Sequence, residues 1–237
     1  MTDALSVLCD VVHVSRSTAA PGQDEVVTEH PLQVEIDGTS SLLLSCSPAR
    51  LEELVTGNLF CRGYLSSAGE LQALSFSPDR QQAYVTRTSR PAPAPPARPA
   101  DIRLPASAAY AIMGRNLTAS ALFQRTGGVH CVSLALPDGS LISREDLARH
   151  NAVDKIIGHA LLHDLPLCRC ILAVSGRLSA DMMEKAIRAA IPIVLSKGAP
   201  TDRAIQLARA HGITLAGFIR GERMNLYACP ERIDPAR

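Results

Sequence analysis

A chain of 237 residues that is 46% apolar and 20% charged has enough apolar surface for a real core, in one or two domains. With 3% aromatic residues, no Trp and a formal net charge of +1, it offers neither stacking platforms nor the basic field of a nucleic-acid binder. Its longest apolar runs, such as ILAV at 171–174, are far too short to span a bilayer, so no membrane partner is expected.

The amino terminus lacks the basic and apolar regions of a signal peptide. The seven scattered cysteines, odd in number, fit reduced thiols in the cytoplasm better than a disulfide framework. Residues 1–88 read as a β-rich N-terminal part. LQVEIDG (32–38) alternates and ends in an Asp-Gly turn, and SLLLS (41–45) follows as a second strand. Ser47 is placed to cap a helix over 48–59, with Pro48 at its first position and Leu51, Leu54, Val55 and Leu59 on its apolar face. QQAYVTRT (81–88) is a further strand. Residues 89–120 then read as a Pro-rich linker, with six prolines between Pro91 and Pro105.

From 121 to 237 strands alternate with helices of about eleven residues, the pattern of an α/β layered sheet with covering helices. The expected order is a strand at 128–136, a turn at 137–139, a strand at 140–143 and a helix at 145–163. A strand at 168–175, a helix at 179–190, a strand at 191–196 and a helix at 201–211 ending at Gly212 come next. Strands at 213–219 and 224–228 finish the chain.

Open α/β sheets bind ligands beyond the carboxyl ends of their strands. Three strand-to-helix junctions here each pair a hydroxyl with a cation: Ser143 with Arg144, Ser175 with Arg177, and Ser196 with Lys197. FIRGER (218–223) adds Arg220 and Arg223 around Gly221. Converging cations of this kind suit an anion, phosphate above all. In REDLARHNAVDK (144–155), Ser143 and Asp146 form a capping box. Asp146, His150 and Asp154 recur every four residues, either as a surface ion-pair ladder or as one wall of a ligand or acid–base site. In TGGVHC (126–131), Gly127 and Gly128 suggest close backbone approach ahead of His130, itself either packed or ligand-facing. Cys168 and Cys170 share a face of the expected strand, but no second ligand pair accompanies them, so no metal site is expected.

These motifs run in one order that resembles the formate dehydrogenase accessory sulfurtransferase family, FdhD/NarQ. The resemblance rests on residues 126–158 with VSGRLSADMMEKA, SKGAPTDRAI and GITLAGFIRGERMNLY, and more weakly on TEHPLQVEIDG and SPARLEELVTGNLFCRGYL. It implies a cytidine-deaminase-like α/β/α fold, a homodimer, and sulfur delivery from a cysteine desulfurase to the molybdenum bis(molybdopterin guanine dinucleotide) cofactor of formate dehydrogenase. The cofactor-binding segment would be Phe218, Ile219, Arg220, Gly221, Glu222 and Arg223, with Gly127, Gly128, His130, Arg149, His150, Asp154, Ser175, Arg177, Ser196 and Lys197 around it.

The sulfur-carrying C-x-x-C that the family places between its two halves is absent, and no C-x-x-C occurs anywhere in the chain. Cys61, beside Arg62, is the weak substitute candidate, because a persulfide carrier needs a reachable thiolate. The alternative is a non-catalytic cofactor-binding paralogue or chaperone. Zinc-dependent deamination would need H-x-E and P-C-x-x-C, and both are missing.

Overall fold

The computed structural model describes residues 4–88 and 99–235, so most of the proline run lies outside the described residues. The chain opens with a two-stranded antiparallel hairpin, β1 (Ser6–Val14) and β2 (Ala19–Val27). It falls within the expected β-rich N-terminal part, although neither strand is singled out in the sequence. Most of its valines and its leucine stand exposed rather than alternating in and out, so burial follows no period-2 pattern.

β3 (His30–Ile36) and β4 (Ser40–Cys46) form the expected hairpin. Asp37 and Gly38 both hold positive φ, the geometry that an Asp-Gly turn supplies. Helix α1 (Leu51–Cys61) follows, then β5 (Leu71–Phe76) and β6 (Gln82–Arg87). The resulting sheet has the order β4-β3-β6-β5.

The segment after Pro99 is not all linker. A short strand β7 (Leu104–Pro105) leads into helices α2 (Ala106–Thr118) and α3 (Ala121–Thr126). Ala109, Ile112 and Met113 of α2 are buried at helical spacing, a pattern masked in the sequence by the small residues around it.

The main sheet takes β8 (His130–Ala135), β9 (Leu141–Asp146), β10 (Ile171–Val174), β11 (Ile193–Ser196), β12 (Thr214–Arg220) and β13 (Arg223–Ala228), in the order β13-β12-β11-β10-β8-β9. β10, β11 and β12 run parallel, and the other neighbours are antiparallel. Helices α4 (Arg149–Leu162), α5 (Ala180–Arg188) and α6 (Asp202–Ala210) cover one face. Helix α2 covers the other, aided by β14 (Ile233–Asp234) paired with β7.

Period-2 alternation sorts the strands between these faces. Leu172, Val174 and Val194 join α4 and α5, whereas Ile171, Ala173, Ile193 and Leu195 join α2. This is the expected α/β layering. One hydrophobic cluster runs from the small sheet (Leu32, Val34, Val85) through α1 and α4 into the main sheet, so both halves share a core.

Several boundaries differ from expectation, and the helix expected at 48–59 with Pro48 first begins at Leu51. The helix expected at 145–163 begins only at Arg149, because β9 continues through Asp146 to pair with the whole of β8. The strand expected from Cys168 begins at Ile171; Leu167–Arg169 is a 3-10 turn, so Cys168 and Cys170 do not share a strand face.

Candidate functional site: the carboxyl edge of the main sheet

Pairing places the ends of five strands along one edge. His130 at the start of β8 lies opposite Asp146 at the end of β9, Val132 opposite Val174, and Val174 opposite Ser196. Loops 175–179 and 197–201 leave this edge for α5 and α6, and β12 runs past it to the turn at Gly221 and Glu222.

The hydroxyls of these loops hold the loops together. Ser175 Oγ accepts from Cys131 N at 3.1 Å. Buried Ser196 donates to the Gly176 carbonyl at 2.7 Å and accepts from Gly198 N at 2.9 Å. Phe218 N in turn donates to the Gly198 carbonyl at 3.1 Å. The glycines allow the loops to stack: a Cβ on Gly198 would sit 2.9 Å from Arg177 N. One on Gly176 would meet His130 Nδ1 at 3.4 Å and Arg149 Cδ at 3.5 Å. Ser175 and Ser196 therefore build the floor rather than reach outward.

The cations are free. Among the described residues, Arg149, Arg177, Lys197, Arg220 and Arg223 have no side-chain partner, and Arg149 Nε is buried without one. Arg220 and Arg223 face each other directly across the turn, where Gly221 takes positive φ. Like charges directly opposed on paired strands destabilise a hairpin unless something neutralises them. Ile219 turns into the core under α2, and Phe218, at φ 53°, is 40% exposed at a bulge in β12. Glu222 is exposed at the turn itself. Half-buried His130 is held below the usual imidazole range by burial and by the charges of Arg149 and His150. His150 Nδ1 lies 2.6 Å from Asp181 Oδ2, an ion-pair distance on an axis poorly aligned for a hydrogen bond. The close His150 ring, and then the Lys185 charge, hold the Asp181 carboxyl below the usual range against burial.

Several expected members lie elsewhere. The close approach at Gly127 and Gly128 is to this chain itself: Gly127 ends α3 in the left-handed conformation, and a Cβ on Gly128 would come 2.8 Å from Val27 Cγ1. Asp146 is no capping-box residue on a helix with His150 and Asp154; it ends β9. There it accepts from Ser47 N at 3.0 Å and from Asn151 Nδ2 at 3.0 Å, and it pairs with the fully buried Lys155 at 2.7 Å.

Ser47 is drawn into that network, where its Oγ accepts from Lys155 Nζ at 2.7 Å. It does not cap α1, whose N-cap is Arg50 in the left-handed region. Asp154 points inward to Lys185 at 2.6 Å and Asn58 at 2.8 Å. Burial pushes its carboxyl above the usual range despite Lys185. Arg144 is likewise spent, paired with the buried Glu53, which His159 also meets at 3.1 Å. Ser143 bonds Ser133 Oγ at 2.7 Å. Sequence reasoning misassigned Ser47 as a cap and missed Glu53, Asn58, Lys155 and Lys185. The only signal of the last four was a polar residue at an apolar helical position.

Cys61 lines a cavity of about 380 Å³ between α1, α4 and α5, with Asp154, Lys185 and Arg62, which also takes in His150 and Asp181. Burial, then the Asp154 charge, pushes its thiol well above the usual range. The cationic neighbourhood expected from Arg62 is thus outweighed, since Arg62 Nε donates to Asn58 Oδ1 at 3.0 Å and Asp154 faces the sulfur. Burial likewise pushes Cys46 up to about 12, and Cys131 and Cys170 to about 11. Among the described residues no three His, Cys, Asp or Glu side chains gather as a metal site requires, and no helix is long and apolar enough to cross a membrane.

The sequence profile of the FdhD/NarQ family matches residues 27–95 and 87–234. The chain is 34% identical over 242 residues to the sulfur carrier protein FdhD of Shouchella clausii, covering 89% of this chain and 90% of that one. Against the sulfur carrier protein FdhD of Bacillus pumilus the identity is 36%, with the same coverage. Among solved structures, a protein from Desulfotalea psychrophila assigned as a formate dehydrogenase accessory protein superposes with a TM-score of 0.87 at 30% identity, covering 98% of this chain and 100% of that one. A profile and relatives that span nearly the whole chain, on a matching fold, place this protein in the FdhD/NarQ family.

Proposed function

We propose that the protein is an accessory factor of formate dehydrogenase maturation that binds a phosphate-rich molybdenum cofactor, the bis(molybdopterin guanine dinucleotide) form, along the carboxyl edge of the main sheet. The observation that carries this reading is the set of five cations there without a carboxylate partner, two of them opposed across one turn. Arg149, Arg220 and Arg223 would hold phosphate oxygens in charge-assisted hydrogen bonds, with Arg177 and Lys197 at the rim. The exposed Phe218 ring offers a planar base one apolar face. His130, its proton loosely held beside Arg149, gains a reason to stay protonated when an anion arrives.

Family relatives are named sulfur carriers, so two versions of this role exist. In one, a substitute cysteine receives sulfur from a cysteine desulfurase and passes it to the cofactor. In the other, the protein holds and escorts the cofactor. The environment of Cys61 favours the second, since a thiol facing a buried carboxylate is a poor source of thiolate.

Calorimetry with GDP, a fragment of the cofactor, tests the shared core. Binding that falls about tenfold in Arg149→Ala and again in Arg223→Ala is expected. Absence of binding, or indifference to both substitutions, overturns it. Mass spectrometry after incubation with a desulfurase and cysteine separates the two versions: a gain of about 32 Da, one sulfur atom, would establish the carrier. The dimer and the cytoplasmic setting belong to the same reading, and sedimentation measures the first.

A further inference from the structure

At the opposite ends of the same strands lies a groove of about 440 Å³. Its floor is apolar: Ile112 of α2, Ala135 ending β8 and Ile171 opening β10, the last two directly paired. Its rim carries three exposed arginines from three separate pieces of chain, Arg103 before β7, Arg115 on α2 and Arg169 in the 3-10 turn. Arg115 Nη1 donates to the Gly139 carbonyl at 3.2 Å; among the described residues Arg103 and Arg169 have no side-chain partner. No lining residue is acidic. The carboxylate of the adjoining turn, Asp138, is taken up by Ser140 N at 2.9 Å and Ser140 Oγ at 2.6 Å.

Charges of both signs normally alternate on a surface, and here the whole chain is nearly neutral. Three arginines around one apolar trough focus a positive field onto a concave wall of ligand size. Small side chains keep that trough open: Ala108 and Ala111 stand one turn or less from Ile112 and Arg115 on the same helix face. The geometry points to a binding site for a small amphipathic organic anion, one with an aliphatic body and a carboxylate head. The body lies on Ile112, Ala135 and Ile171, and the head takes hydrogen bonds from Arg103 and Arg169. A purely apolar ligand would leave the rim unanswered, and an inorganic anion would leave the floor wet. The site shares no residue with the carboxyl edge and stands independently of the cofactor reading.

Calorimetry with decanoate on the full chain is the test, with decyltrimethylammonium and butyrate as controls. Decanoate is expected to bind saturably, butyrate and the cation at least tenfold more weakly. Arg103→Ala combined with Arg169→Ala removes two exposed side chains without partners, so the fold stays intact while decanoate affinity drops about tenfold or more. Ala111→Phe fills the trough and should block binding with the arginines in place. No saturable heat with decanoate overturns the proposal. So does equal binding of the cation, which would mark a merely apolar patch, or equal affinity in wild type and the double variant.

Discussion

Single side chains decide whether the interior charges are an asset or a liability. Lys155 has none of its surface exposed, and it is satisfied by Asp146 at 2.7 Å and Ser47 Oγ at 2.7 Å. Lys155→Met keeps much of the volume but leaves a carboxylate buried without its cation, which costs about 3–5 kcal/mol in such pairs. Urea denaturation should show a loss of that size, and a loss under 1 kcal/mol would mean that water reaches Asp146. Glu53 gives a pH-resolved counterpart. Burial raises its carboxyl, but the hydrogen bonds and charge of Arg144 and His159 more than offset this, so it titrates below its ordinary 4.5. A depressed carboxylate contributes stability that is present above its unfolded value and lost as pH falls through the folded one. Glu53→Gln should therefore be less stable than wild type at neutral pH, and the two denaturation midpoints should converge in acid below 4.5. At the carboxyl edge, the His130 ring signals should titrate below 6.5 in the free protein and move upward when GDP is present.

Among the elements, α1 and α4 cross more closely than side chains permit. A Cβ on Gly57 would sit 1.9 Å from the Asp154 carbonyl oxygen, and one on Gly158 would sit 1.9 Å from that of Glu53. Backbone atoms cannot swing aside as a side chain can. Gly57→Ala or Gly158→Ala should cost about 3 kcal/mol or more, through forced separation of two packed helices. Gly114, in the middle of α2, has nothing within 4 Å of its would-be Cβ. Gly114→Ala should raise the thermal midpoint, with a gain of about 0.5–1 kcal/mol from helix propensity alone. The opposite signs of two identical substitutions are measurable in one series of melts.

Across the whole molecule, what could be foreseen was what local chemistry dictates. β3, β4 and the Asp-Gly turn follow from alternation and from the two positive φ values at Asp37 and Gly38. The helices α5 and α6 and the convergence of loops at one edge follow from strand–helix alternation. What could not be foreseen depends on partners far away in sequence. Asp146 reads locally as a helix-capping residue; only the chain that folds back over a separation of 99 positions to Ser47 makes it the centre of a buried network. Arg144 and Asp154 look like site residues until Glu53 and Lys185 claim them. The free cations at the edge are those that no distant carboxylate claims among the described residues. Because one hydrophobic cluster joins the small sheet, α1, α4 and the main sheet, both halves should unfold together. Circular dichroism and intrinsic Tyr fluorescence should give coincident transitions, and a fragment beginning at Ala121 should fail to fold by itself.

The glycine crossing also governs how the protein can answer a ligand. α4 starts at Arg149, on the candidate site, and nine residues later, at Gly158, its backbone rests against α1 with no gap for a methyl group. A helix seated that way can neither roll nor slide without unseating its neighbour. Arg149 is thus offered from a fixed anvil, and any closing motion belongs to the lighter parts opposite: the loops after β10 and β11 and the arginine-tipped hairpin.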